Sequence, residues 1–304
     1  MSFPSGEQWT IRHGDQEVTV VEVGGGLRTY TIGGVDVLHG YAADARADGG
    51  RGQVLMPWPS RIGDGKYTFD GVDQQLPITE VPNHNAIHGL VRWAMWTVRQ
   101  RSDSSVSVAH RLFPQPGWPG SLDLQITYAL GADGLSVTPS VTNLGAASAP
   151  FGYGAHPYLT VGEAKVDEVT LTVPAHTRIN LDDRLLPVDA APVSGAADFR
   201  TPRQIRDTVL DNTYTDLAAT DGVWRARLEH GGRSTAMWAQ AEVFGYAQVF
   251  SGDTLPPGRA RCSGLAVEPM SCPGGAFASG DSLIVLEPGQ VWTGTWGITA
   301  TLPT

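Results

Sequence analysis

A chain of 304 residues with 41% apolar and 17% charged side chains can bury a large core, which sets disorder aside. Its net charge of −10 would repel phosphates and argues against a nucleic-acid partner. No apolar run approaches the roughly 18 residues that span a bilayer. Met1–Glu7 also lacks the basic and apolar regions of a signal peptide, so a cytoplasmic protein with no membrane partner is expected.

The 37 Gly and 21 Pro, without a low-complexity run or fixed repeat, indicate tight turns between short strands. Alternation begins at once: Trp9–Arg12, Glu17–Val23 and Leu27–Ile32 are divided by Gly-Asp and Gly-Gly turns, and Val35–Leu38 continues the meander. Residues 41–53 read as a polar loop. Two Asp-Gly pairs then bracket a strand at Lys66–Phe69. Just before it, Arg61 follows a proline-rich segment, where its planar fork suits sugar hydroxyls, a carboxylate ligand or an ordinary ion pair. His84 and His88 stand four apart, but Pro82, Asn83, Asn85 and Gly89 oppose the helix that a metal pair would need. His88 before Gly89 suggests an imidazole on a turn facing open space.

Strands are expected at Thr97–Arg101, Ser105–Leu112, Leu122–Leu130 and Leu135–Thr142, with no amphipathic helix between them. In Phe151–Leu159, small residues surround His156, and Tyr153 and Tyr158 could offer flat faces to a sugar; a core histidine is the plainer alternative. Glu168–Val173 and Thr177–Leu181 read as strands, followed by a looser segment that ends at Thr208–Leu217 and carries Asp211. Further strands are expected at Trp224–Glu229, Thr235–Trp238, Tyr246–Phe250 with Gln248 inside it, Gly264–Glu268, Leu283–Leu286 and Val291–Ala300. Pro269 and Pro273-Gly274-Gly275 should end the fourth of these near Glu268, leaving a carboxylate at a sheet rim, suited to general-base work or to simple solvation. Cys262 and Cys272 form no CxxC pair; they could bridge across neighbouring strands, but free thiols are the expected state in a cytoplasmic chain. The pattern as a whole predicts an all-β chain, a large antiparallel β-sandwich with few short helices, in a single domain over residues 1–304.

At this point six stretches, in order, resemble the aldose 1-epimerase (galactose mutarotase) family. They are Arg61-Ile62 with Gly65–Gly71, Ile87-His88-Gly89, His156–Leu159, Asp211 with Tyr214, Gln248–Gly252, and Val267-Glu268. The resemblance implies the galactose mutarotase-like supersandwich and interconversion of α and β anomers of a free aldose such as galactose or glucose, by ring opening and reclosure. It implies Glu268 as general base on the O1 hydroxyl and His156 as general acid on the ring O5. It also implies His88 as a hydrogen-bond partner near O5, and Arg61, Asp211, Gln248 and Tyr158 as substrate-binding residues. No cofactor and no metal are implied, and the partner is a small-molecule monosaccharide, with a monomer or homodimer as the assembly. Ser60 departs from the Asn that many members carry there, which bears on substrate identity. Arg92 could contact an anionic sugar or form an ion pair, so a sugar-phosphate or acidic-sugar mutarotase is an alternative. A non-catalytic carbohydrate-binding module would have no need of His156 together with Glu268, and a glycoside hydrolase built on Asp211 and Glu268 would leave the histidines idle.

Overall fold

The computed structural model describes residues 3–256, 258, 260–262 and 264–303. Among them the chain is almost entirely antiparallel strand, with one short α-helix, Ala276–Ser279. Alternating side chains set the strands, as in Leu122–Gly131 and Gly134–Asn143, where every second residue is buried along ten positions. These two lie inside a ten-stranded sheet that starts at Thr97–Arg101 and continues through Trp296–Thr301, Arg233–Gln240 and Val223–His230. A four-stranded N-terminal meander runs from Gln8–His13 to Val35–Asp36. An eight-stranded sheet orders Pro187–Pro192, Ala175–Leu181, Asp211–Leu217, Tyr246–Phe250, Leu265–Met270, Gly154–Ala155 and Val54–Leu55, with Tyr158–Leu159 also paired to Leu265–Met270.

The inner faces of these sheets share one apolar core, to which Trp9, Ile126, Val249 and Trp296 all belong. Some of its large aromatics bond their polar tips to backbone carbonyls, whereas the buried indole N–H groups of Trp58, Trp96 and Trp118 have no hydrogen-bond partner among the described residues. Tyr128 Oη donates to the Gly25 carbonyl at 2.7 Å, and Trp224 Nε1 donates to the Phe244 carbonyl at 2.8 Å. Both cysteines are free.

Four expectations need correction. The strand carrying Glu268 does not end there; it runs Leu265–Met270, wholly buried, so Glu268 is interior and not at a rim. Val267 N–H points to the Pro157 carbonyl and Ser271 N–H to the Tyr153 carbonyl, so position 269 faces the same side. There the chain leaves the sheet between Gly154–Ala155 and Tyr158–Leu159, and no ladder bond is lost to proline. The segment ending at Leu217 is not loose: Asp211–Leu217 is a central strand whose Asp, Asn and Thr content concealed it. Val291–Ala300 is two strands, Val291–Thr293 and Trp296–Thr301, broken where Thr295 N–H turns to Gln240 Oε1 at 2.7 Å. Finally, Glu168–Val173 begins as the 3-10 turn Val166–Glu168, and only Thr170–Thr172 is strand.

Candidate active site

One face of the eight-stranded sheet carries the polar residues singled out above. Register places Thr213 opposite Gln248 and Gln248 opposite Glu268, so three adjacent strands present one row of side chains. Asp211 lies two residues before Thr213 and shares its face. His156 comes from the break between Gly154–Ala155 and Tyr158–Leu159. Its backbone is pinned on both sides, its N–H donating to the Gln53 carbonyl at 3.0 Å and its carbonyl accepting from Gly52 N–H at 2.9 Å. Arg61 and His88 arrive on the small ladder Arg61–Gly63 with Asn85–Ile87.

These groups meet in a cavity of about 270 Å³, lined by Ser60, Arg61, His88, Arg92, His156, Asp211, Gln248 and Glu268 among others. That is near the roughly 300 Å³ lower end of small-molecule sites, a size for one sugar ring. His156 Nε2 stands 3.3 Å from Glu268 Oε1, with the two residues only 5% and 2% exposed. Burial raises the Glu268 carboxyl well above the ordinary value, Asp211 adds to this, and Arg61 opposes it. Burial also lowers the His156 imidazole, to about 3. Both shifts disfavour charge, so the pair holds one exchangeable proton at neutral pH, and moving it across 3.3 Å interconverts acid and base.

His88 has a defined tautomer. Ser60 N–H donates to its Nδ1 at 3.1 Å, so Nδ1 is the acceptor and Nε2 carries the hydrogen of the neutral ring. Burial, with Arg92, His156 and Arg61 adding to it, holds His88 well below its usual value and keeps it neutral. Its ring meets that of His156 edge-on at 5.6 Å. Ser60 thus contributes its backbone here; its φ of 55° is a left-handed conformation in which Asn is enriched several-fold over most residues, the residue common at this position in the resembling family.

Two binding residues are already engaged. Arg61 forks onto Glu80, Nε at 3.0 and 2.9 Å from the two carboxylate oxygens and Nη2 at 3.0 Å, which leaves Nη1 outside that pair. Gln248 accepts from Thr213 Oγ1 and donates to Asp211 Oδ1, each at 2.5 Å. Its amide orientation is therefore set, with one N–H to spare. Burial raises the Asp211 carboxyl, while Arg61 and the Gln248 bond pull it down.

Tyr158 is the one candidate that the structure places elsewhere. It is 1% exposed, stacks behind His156 at 5.0 Å and 13°, and does not line the cavity; Tyr153 is fully buried as well. The aromatic faces at the cavity are instead Phe250 and the half-exposed Trp93. Glu80, Gly49 and Gly50 were also missed, because each lies on a loop whose local sequence carries no sign of what it folds against. No group of three His, Cys, Asp or Glu among the described residues could hold a metal ion.

The aldose 1-epimerase family matches residues 7–299. The uncharacterized protein YihR of Escherichia coli (strain K12) is 34% identical over 288 residues, 94% of this chain and 91% of its own. Galactose mutarotase of Sus scrofa is 24% identical over 266 residues, 80% of this chain and 77% of its own. The solved GalM/aldose epimerase homologue from C. elegans has the same fold, with a TM-score of 0.87 at 18% identity over 98% of this chain and 100% of that one. With the profile spanning nearly every strand and the polar row described above, the chain belongs to the aldose 1-epimerase family.

Proposed function

We propose that this protein is a mutarotase that interconverts the anomers of a free aldose. The observation that carries the reading is the 3.3 Å approach of His156 Nε2 to Glu268 Oε1 in the cavity, among hydroxyl-binding groups. O1 and O5 of an aldopyranose are bonded to the same carbon, so two groups this close can address both. With the shared proton on His156, Glu268 takes the O1 proton while His156 gives its own to O5, and the C1–O5 bond breaks. Rotation about C1–C2 presents the other carbonyl face, and closure returns both protons with roles reversed. His88 Nε2–H donates toward O5 as charge develops there. Asp211, the free Gln248 N–H and Arg61 Nη1 hold ring hydroxyls.

A second reading of the substrate is favoured by Arg92. It lines the cavity, yet its side chain bonds only the Ile87 carbonyl, at 3.3 Å, and has no carboxylate at ion-pair distance among the described residues. Glu80 acts on it from further off but is forked by Arg61. An anionic substituent on the sugar, a carboxylate or a phosphate, would complete that guanidinium.

Polarimetry or proton NMR of freshly dissolved α-D-glucose, α-D-galactose, glucuronate and glucose 6-phosphate, with wild type and Glu268→Gln, tests both readings. Faster equilibration that disappears in the variant supports the mutarotase, and the sugar most accelerated assigns the class. Sugar binding without acceleration of any of them would leave a carbohydrate-binding module and sink the enzyme.

A further inference from the structure

The loop that reads only as polar in sequence makes five successive contacts around His156. Asp48 Oδ1 accepts from Arg51 Nη1 at 2.6 Å. The Gly49 carbonyl accepts from the Tyr158 hydroxyl at 2.7 Å. Gly50, at φ +78°, lies so close to the imidazole that a Cβ would stand 2.6 Å from His156 Cδ2. The Arg51 guanidinium lies 4.3 Å over the Tyr158 ring, which in turn stacks on His156. Gly52 N–H holds the His156 carbonyl. Arg51 is 1% exposed and, among the described residues, its one carboxylate partner is the partly exposed Asp48, a costly place for a cation that only folded the loop.

We propose that Asp48-Gly49-Gly50-Arg51-Gly52 is a clamp on the imidazole of His156, with Arg51 as a positioning residue acting through Tyr158. The clamp fixes the ring plane and sets a buried cation behind it. Facing His156 are Glu268 at 3.3 Å, His88 edge-on, and the cations Arg51, Arg61 and Arg92, which oppose the imidazolium. The result is a proton donor that keeps its orientation and readily gives up its proton. The inference rests on the reading that His156 transfers a proton.

The test uses the full chain. Arg51→Met keeps length and apolar bulk but removes the plane and the charge. Its kcat should fall about tenfold to hundredfold, the cost of a small misplacement of a reacting group, with KM within about twofold. The His156 imidazole, followed by NMR, should titrate higher than in wild type because one opposing cation has gone. Arg51→Lys should restore the titration and part of kcat. Wild-type kcat and titration in Arg51→Met would overturn the clamp. So would a fall in kcat, KM and thermal stability together with an unmoved titration. Should Arg51→Met not fold, Gly50→Ala decides: its methyl must displace the ring, and an unchanged kcat would overturn the proposal. If wild type accelerates no sugar, the mutarotase reading fails, while the His156 titration still decides the clamp.

Discussion

Glu268→Gln should separate function from stability in opposite directions. The substitution keeps the volume of a fully buried side chain whose Oε2 has no hydrogen-bond partner. Loss of a general base costs about 10²–10⁴ in rate, or about 3–5 kcal/mol in the barrier. Stability should rise. The Glu268 carboxyl titrates well above 4.5 in the folded state because burial penalises the anion, so the folded chain keeps a proton that the unfolded chain releases. The stabilisation is complete below about pH 4.5 and is lost as pH climbs through the folded value. In Glu268→Gln that loss is absent. At pH 8 the variant should gain about 1–3 kcal/mol, the usual penalty of a poorly satisfied buried polar group. That corresponds to a Tm increase of about 2–6 °C at roughly 2 °C per kcal/mol for a chain this large. His156, lowered to about 3, gives the opposite slope in both proteins and largely subtracts out. Scanning calorimetry of both proteins from pH 4 to pH 8 measures the gap. A Tm difference that is constant across this range, or a variant within tenfold of wild-type turnover, would refute the reasoning.

Gln248→Leu should raise KM about tenfold, since both Asp211 and the Thr213 hydroxyl lose their bond to the amide. It should also cost about 1–3 kcal/mol of stability in urea, the price of an unpaired buried hydroxyl. Losing the Gln248 donor also removes one of the two influences that hold the Asp211 carboxyl down, so its titration should move upward. Glu80→Gln removes the charge that holds Arg61 and partly offsets Arg92. Binding of neutral sugars should weaken while that of a carboxylate-bearing or phosphorylated sugar strengthens; the same direction for both, by titration calorimetry, would count against Arg92 as an anion contact.

Much of the fold was written locally. The two-residue period of Leu122–Gly131 and Gly134–Asn143 is visible in any window, because a strand that buries one face must alternate. The site residues Arg61, His88, His156, Asp211, Gln248 and Glu268 could be picked out as a family pattern, and the cavity gathers all six. What they do to each other could not be read this way. The row Thr213–Gln248–Glu268 depends on register between strands far apart in the chain, and a slip of one residue would turn every one of them to the opposite face. The same holds for Glu80 on Arg61, the Ser60 N–H on His88 and the Arg51–Tyr158–His156 stack. The family pattern in the sequence marked which side chains were candidates for acid–base chemistry. Only the packed sheets decided which of them face the cavity, which are held behind it, and how far burial displaces their protons, because desolvation is a property of the surroundings and not of the residue.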